Sequence, residues 1–159
     1  MFNLFKKKEV ALYMPAKGKV IELDQVPDQV FASRMVGDGV AFIPHDGLIK
    51  APCSGKVVQV FPTNHAIGIE SKEGLEVLIH LGIDTVELKG EGFQSLIKEG
   101  QEIKKGDPLA KMDLKLIKEK GKEIITPVVI TNMEIVKELK PCRLDETIDD
   151  EVILNIRLK

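Results

Sequence analysis

The sequence has 159 residues, of which 43% are hydrophobic and 30% charged, with a formal net charge of −2. These values predict a globular domain with a substantial core and argue against a disordered chain or a nucleic-acid-binding protein. No apolar run reaches the roughly 20 residues that a membrane-spanning helix needs, and the start lacks the apolar region and cleavage site of a secretory signal, so we expect a cytoplasmic protein.

Short β-rich runs bounded by glycine and proline follow one another along the chain and predict strands. They are residues 20–23, 40–43, 56–61, 127–130 and 152–158. Regular short strands with intervening turns are typical of an antiparallel β-sandwich or barrel, so we predict an all-β fold. Helical patterns are weak and local, and we expect only short helices over 93–100, 113–120 and 132–139.

A short motif, P-x-x-G-K-V-[IV], occurs at residues 15–21 and again at 52–58. Each copy is followed later by a glycine–aspartate turn, at 37–39 and at 106–108. We interpret this as one β unit used twice, with the second copy interrupted by an insertion over roughly 63–92. Functional residues often lie on such insertions.

The chain has three histidines. His45 lies in a turn composition and is expected to be exposed. His65 and His80 lie at the far ends of a predicted hairpin whose loop contains Gly74. If paired positions sum to 145, His65 lies opposite His80. If they sum to 146, which apolar matching favours, it lies opposite Leu81 on the other face unless a bulge intervenes, and the sequence leaves this register open.

The surroundings of these histidines are compatible with chemistry, but the residues alone do not favour it over two structural histidines in a hairpin. His80 has apolar neighbours, which favour the neutral, nucleophilic ring, and the glycine two residues later leaves room for another molecule. Thr63 can orient the ring of His65 through a hydroxyl hydrogen bond. Asp84 falls on the same strand face as His80 if the strand continues.

Several segments carry a family resemblance: 26–32, 36–39, 63–66, 79–93 and 126–133. Through them the chain resembles the glucose-family IIA component of the bacterial phosphoenolpyruvate-dependent sugar phosphotransferase system, from about residue 13 to the end. The resemblance implies one all-β IIA domain over 13–159, built on a duplicated motif. It implies that the two histidines share a face, against the simple register in which paired positions sum to 146, and that transfer needs no cofactor and no metal.

The resemblance also implies a role for each site residue. His80 would carry the phosphoryl group on Nε2, His65 would stabilise that group during transfer, and Thr63 would hydrogen-bond His65. The donor would be HPr, the histidine-containing phosphocarrier protein, and the acceptor a cysteine of a IIB domain, before sugar enters through a IIC permease. The chain would be a phosphotransferase component with a phosphohistidine intermediate.

A docking face for both partners is implied at positions that match the family. They are Asp28, Val30, Phe31, Val36, Phe61, Ile67, Asp84 and Val86. The carboxylates would steer a basic partner, and core packing remains an alternative for the apolar residues. We expect Phe31 to be exposed because its neighbours are polar.

The start of the chain is predicted to be a flexible tail over residues 1–12. Its first eight residues combine Phe2, Leu4 and Phe5 with three lysines, which allows at most weak membrane association.

Three other functions are considered. A biotinyl or lipoyl carrier would need a lysine at a hairpin tip, and Lys111 is the nearest approach. A zinc hydrolase would need three ligands, for which His65, His80 and Asp84 are the candidates. A purely regulatory module would keep the fold without phosphoryl transfer. The two cysteines match no metal spacing.

Overall fold

The computed structural model describes residues 9–159. The described residues form these strands: β1 Glu9–Tyr13, β2 Gly18–Glu22, β3 Asp38–Pro44, β4 Leu48–Lys50, β5 Gly55–Val60, β6 Ala66–Ser71, β7 Glu76–His80, β8 Phe93–Ser95, β9 Glu102–Ile103, β10 Pro108–Met112, β11 Thr126–Ile130, β12 Val136–Pro141, β13 Thr147–Ile148 and β14 Val152–Leu158. The helices are α1 Gln29–Ala32 and α2 Leu114–Glu119, with 3-10 turns at Leu23–Gln25, Thr85–Leu88 and Met133–Ile135.

The strands form three antiparallel sheets. The large sheet has the order β13-β2-β3-β11-β7-β6-β5-β9, and two small sheets have the orders β1-β14-β12 and β4-β10-β8. One hydrophobic cluster contains buried residues from all three sheets, including Leu12, Phe42 and Leu109. This architecture confirms the predicted all-β fold with a few short helices.

The sheet orders confirm the duplication and correct its boundaries. Strands β4 to β10 form one unit, and β1, β2, β3, β11, β12, β13 and β14 form a second unit with the same pairing pattern. The unit from β4 to β10 is inserted between β3 and β11, so the first copy is the interrupted one. Residues 63–92 are not an insertion, because they contain β6 and β7, which are part of the unit from β4 to β10 itself. The two glycine–aspartate turns are not equivalent either, since 37–39 leads into β3 and 106–108 into β10, the counterpart of β14.

The repeated motif has a physical reason in these pairings. Gly18 and Gly55 begin β2 and β5, and a Cβ atom on either would lie 2.2 or 2.1 Å from a carbonyl oxygen of the neighbouring strand. The Pro15 carbonyl oxygen accepts a hydrogen bond from the Lys50 amide at 2.8 Å, and the Pro52 carbonyl oxygen accepts one from the Tyr13 amide at 2.9 Å. Each donor lies two residues before the other copy of the motif. The motif therefore marks the places where the two units interlock.

The helix predictions succeed where a cap is present and fail where strand pairing competes. Helix α2 is confirmed, and its Asp113 cap accepts a hydrogen bond from the Leu116 amide at 3.1 Å. The helix expected over 93–100 is wrong, because Phe93 to Ser95 pair with β10 as β8. Over 132–139 only a 3-10 turn forms before β12 pairs with β14. In both places, tertiary pairing overrides a short apolar pattern.

The flexible tail predicted over residues 1–12 is wrong for its last four residues. They lie in β1, where Val10 and Leu12 are buried and Val10 pairs with Ile156 of β14. The rest of that prediction, with the membrane association expected of residues 1–8, lies outside the described residues. Across residues 9–159, we find no helix with the length and apolarity required to cross a bilayer.

Candidate functional site

The histidine hairpin adopts the register in which paired positions sum to 146. Ile67 lies opposite Ile79, Ile69 lies opposite Val77, and no bulge interrupts the pairing of β6 with β7. This is the register that apolar matching favours. The hairpin loop turns at Gly74, whose φ of +98° is the left-handed conformation expected there.

The two rings meet even though this register pairs His80 with Ala66. His65 lies just before β6, so its side chain need not follow the alternation of side chains between the two faces of that strand. Its carbonyl oxygen accepts a hydrogen bond from the Leu81 amide at 2.7 Å, while Asn64 turns the chain with a φ of +58°. The ring centroids of His65 and His80 are 5.2 Å apart with planes at 73°. The shared face implied by the family resemblance is therefore present, but the inference that it excludes the 146 register is wrong, because the rings meet without a bulge between β6 and β7.

His80 presents one ring nitrogen as a nucleophile. Its Nδ1 lies 2.6 Å from the carbonyl oxygen of Gly82. Because a carbonyl can only accept, Nδ1 carries the proton and the lone pair remains on Nε2. Burial lowers the pKa of His80, against the opposing effects of the Gly82 hydrogen bond and of Asp28 and Asp84. The ring is therefore neutral at neutral pH, which is the form that can attack phosphorus.

His65 is held beside this nucleophile by two neighbours. Its Nδ1 is hydrogen-bonded to the hydroxyl of Thr63, as expected, and the ring of Phe61 packs edge-on with centroids 5.4 Å apart. The side chain is only 7% exposed, and burial, followed by the nearby His80, lowers its pKa. If the Thr63 hydroxyl donates to Nδ1, the proton of His65 lies on Nε2, where it can be donated to an anionic oxygen.

Two of the expected docking residues are buried, which corrects their predicted placement. Phe31 is 5% exposed rather than exposed, because it packs in a second hydrophobic cluster on the outer face of the large sheet. Its ring centroid lies 5.0 Å from that of His80, so it covers the nucleophile from one side. Ile67 is 1% exposed and belongs to the main core. It supports the hairpin from below and offers no surface for docking.

The remaining expected docking residues have exposed or partly exposed side chains. Val30 and Val86 are 44% and 51% exposed, Asp84 is exposed, and Asp28, Val36 and Phe61 are partly exposed. Asp28 also caps α1, since its carboxylate accepts from the Val30 amide at 2.9 Å.

Sequence reasoning missed an exposed methionine beside this surface. Met35 is 75% exposed, and its amide donates to the Val30 carbonyl at 3.2 Å. A single methionine after Ser33 and Arg34 gives no periodic signal, so the sequence pattern could not single it out.

Arg34 is a second residue that the sequence analysis missed. Its guanidinium donates to Asp24 at 2.5 Å and to Asp38 at 3.0 Å, and its backbone has a φ of +65°. These carboxylates raise the pKa of Arg34. The contacts close the loop that carries α1, and so hold the Phe31 ring near His80.

The structure gives little support to the alternative sites. Within residues 9–159 no group of three or more histidine, cysteine, aspartate or glutamate side chains is arranged to hold a metal ion. Lys111 lies within β10, between β4 and β8, and not at a hairpin tip. His45 is exposed in the loop after β3, as predicted.

Known proteins with similar sequences have consistent descriptions. A family model described as "phosphoenolpyruvate-dependent sugar phosphotransferase system, EIIA 1" matches residues 10–136. The chain is 49% identical over 135 residues to the PTS system glucose-specific EIIA component of Bacillus cereus, covering 85% of this chain and 82% of that protein. It is 53% identical over 132 residues to the PTS system glucose-specific EIICBA component of Staphylococcus saprophyticus, covering 83% of this chain and 20% of that protein.

A solved structure has the same fold. The glucose permease IIA from Mycoplasma capricolum matches with a TM-score of 0.87 and 41% identity, over 93% of this chain and 96% of that one. The family match, the identities and the structural match agree with the all-β fold described above. The chain therefore belongs to the EIIA 1 family and is a IIA component of the phosphoenolpyruvate-dependent sugar phosphotransferase system.

Proposed function

We propose that the chain accepts a phosphoryl group from phospho-HPr on Nε2 of His80 and donates it to a IIB cysteine during sugar uptake, in the cytoplasm. The observation that carries this proposal is the hydrogen bond from His80 Nδ1 to Gly82, which leaves Nε2 as the free nitrogen beside His65. The names of the relatives suggest glucose as the sugar, which the permease and not this chain would select.

The transfer step follows from the protonation of His80. A bond forms between Nε2 and phosphorus as the phosphorus–nitrogen bond of the donor breaks, and the electron pair of that bond stays on the donor's histidine. The ring of His80 gains positive charge, which the Gly82 carbonyl stabilises through Nδ1–H. Little other covalent change is needed, so the protein acts mainly by positioning and by charge stabilisation.

His65 would act on the oxygens of the transferring group. Its ring centroid is 5.2 Å from that of His80, close enough for its Nε2–H to donate to a phosphoryl oxygen. The Thr63 hydroxyl and the Phe61 ring hold it in that orientation. Without His65, we therefore expect His80 still to become phosphorylated, but the phosphoryl group to be passed on poorly.

Partner docking would use the exposed apolar side chains around the pair. Val30, Met35 and Val86 are each at least 44% exposed. Burial lowers the pKa of His80, and the nearby carboxylates of Asp28 and Asp84 oppose that shift; they also place negative charge where a basic donor would approach. The Staphylococcus relative, whose name combines C, B and A components in one protein, supports a IIB acceptor for this chain.

Phosphorylation by phosphoenolpyruvate, enzyme I and HPr tests the proposal. Wild type, His65→Ala and the exposed control His45→Ala should each take up an acid-labile, alkali-stable label, whereas His80→Ala should take up none. Chased with a IIB domain, wild type and His45→Ala should pass the label on, and His65→Ala should retain most of it. An unlabelled wild type, or a labelled His80→Ala, would contradict the proposal.

A further inference from the structure

The peptide group between Leu81 and Gly82, one residue after His80, is held at both ends by buried threonines. The Thr85 hydroxyl donates to the Leu81 carbonyl oxygen at 2.6 Å, and the Gly82 amide donates to the Thr126 hydroxyl at 3.4 Å. Leu81 and Gly82 share this peptide group, so one hydroxyl fixes its oxygen and the other its nitrogen. Both threonines are completely buried.

The adjoining peptide groups are fixed as well. The Leu81 amide donates to the His65 carbonyl at 2.7 Å, and the Ile83 amide donates to the Glu123 carbonyl at 3.0 Å. The Gly82 carbonyl oxygen therefore belongs to a turn with no free backbone donor between residues 81 and 83, and this turn presents it to His80.

Thr85 uses both groups of its side chain on this turn. Its hydroxyl donates a hydrogen bond to the Leu81 carbonyl oxygen. Its methyl carbon lies 2.6 Å from the position that a Cβ atom on Gly82 would take. Serine would keep the hydrogen bond and lose the methyl contact, whereas valine would keep the shape and leave the Leu81 carbonyl without this donor. The two substitutions therefore separate the two contributions.

We propose that Thr85 and Thr126 are positioning residues: they fix the peptide group between Leu81 and Gly82, and thereby hold the Gly82 carbonyl against His80 Nδ1 so that the lone pair stays on Nε2. The meaning of this arrangement for transfer rests on the proposed function, but its effect on the ring tautomer does not. Thr85 also begins the 3-10 turn that carries Val86, so the same residue joins the docking surface to the nucleophile.

Loss of the Thr85 hydroxyl would leave the buried Leu81 carbonyl without this hydrogen-bond donor. A buried hydroxyl is unfavourable unless it is hydrogen-bonded, and removing one partner of a buried pair leaves the other unsatisfied. In Thr85→Val the Leu81 carbonyl must find another donor or move, and the whole peptide group rotates with it because that group is planar. The Gly82 oxygen then loses its alignment with Nδ1, and the ring can place its proton on Nε2 instead.

Nitrogen NMR on protein labelled with 15N at histidine measures this directly. In wild type, the ring shifts of His80 should report a proton on Nδ1. In Thr85→Val they should move toward a mixture of tautomers, with a lower His80 pKa, because the acceptor that stabilises the charged ring is loosened. Thr85→Ser should keep the wild-type tautomer, and so should Thr131→Val, a matched control at an exposed threonine.

Transfer kinetics give the second readout. Under saturating phospho-HPr, the phosphorylation rate of Thr85→Val should fall about tenfold with KM changed less than twofold, and Thr85→Ser should recover most of the rate. Wild-type ring shifts in folded Thr85→Val would overturn the inference, and so would a slow variant whose tautomer is unchanged. If Thr85→Val does not fold, Thr126→Val applies the same test to the other end of the peptide group.

The two proposals fail separately. A wild type that takes up no label refutes the phosphocarrier function, while the ring shifts of the unphosphorylated protein still decide whether the threonines fix the tautomer. A labelled wild type together with normal shifts in Thr85→Val, or in Thr126→Val if Thr85→Val does not fold, refutes the threonine role alone.

Discussion

The atoms packed around Gly82 allow the effect of Gly82→Ala on the free energy of unfolding to be worked out from distances. In Gly82→Ala the new Cβ would lie 2.6 Å from the Thr85 methyl carbon and 2.7 Å from the Glu123 carbonyl oxygen, on a backbone with a φ of +78°. The left-handed conformation costs a residue other than glycine about 1–2 kcal/mol. Overpacking adds about 1–3 kcal/mol. We therefore expect the free energy of unfolding to fall by about 2–5 kcal/mol, a large part of the roughly 5–15 kcal/mol of a typical domain.

Gly74→Ala is the matched control for the backbone contribution. Gly74 has a φ of +98° and no atom within 4 Å of a Cβ built on it, so only the conformational cost applies. Urea denaturation of both variants, compared at equal m-values, gives the packing contribution as the difference in the free energy of unfolding. Adding Thr85→Ser to Gly82→Ala removes the methyl group that the new Cβ meets, and should recover part of the loss.

Equal losses in the two glycine variants would refute this reasoning. They would mean that the surroundings of Gly82 relax without cost, and that the turn is not closed in the way the distances indicate. A Gly82→Ala protein with full phosphorylation activity and wild-type stability would also remove the basis for treating the turn as a fixed support of His80.

Three further predictions follow. Burial should keep the pKa of His80 below the ordinary histidine value of 6.5, so the rate of phosphoryl acceptance should stay constant at higher pH and fall only below that lowered pKa. Phe31→Ala exposes the ring, and should raise the pKa of His80 measured by NMR titration. Burial raises the pKa of Cys53 to about 12, so iodoacetamide should alkylate it more slowly than Cys142. Ile67→Ala should lower the free energy of unfolding, measured by urea denaturation, by about 2–5 kcal/mol. If Ile67 were an exposed docking residue, the same substitution would change that free energy much less.

Local patterns in the sequence predicted the hairpin well. Matching Ile67 with Ile79 and Ile69 with Val77 favours the observed register, because a slip of one residue would move every apolar side chain to the wrong face, although the family resemblance argued against it. The position of Gly74 follows from the need for a left-handed residue in the loop. Both features depend on neighbours in the chain, which is why the sequence alone could indicate them.

Features that depend on distant contacts were beyond the same reasoning. Phe31 looks exposed because polar residues lie two and three positions away on both sides, but residues from the large sheet cover it. Phe93 has helical spacing, yet it pairs with Met112 of β10. The left-handed turn at Asn64, which brings His65 onto the face of His80, has no signal in the hydrophobic pattern. Non-local packing decided the first two cases, whereas the Asn64 turn is local and is closed by a hydrogen bond from its own amide to the Phe61 carbonyl at 2.7 Å.

The nesting of one unit inside the other has a consequence for how the protein assembles. The unit from β4 to β10 is one continuous stretch, and the hairpin with both histidines joins neighbouring parts of the chain. The other unit closes only when β14 pairs with β1, which brings Ile156 opposite Val10. Because non-local pairings form slowly, and synthesis delivers the C-terminal strands last, the histidine pair can form early. Its Phe31 cover belongs to the half that closes last, so we expect the histidine pair to form before Phe31 covers it.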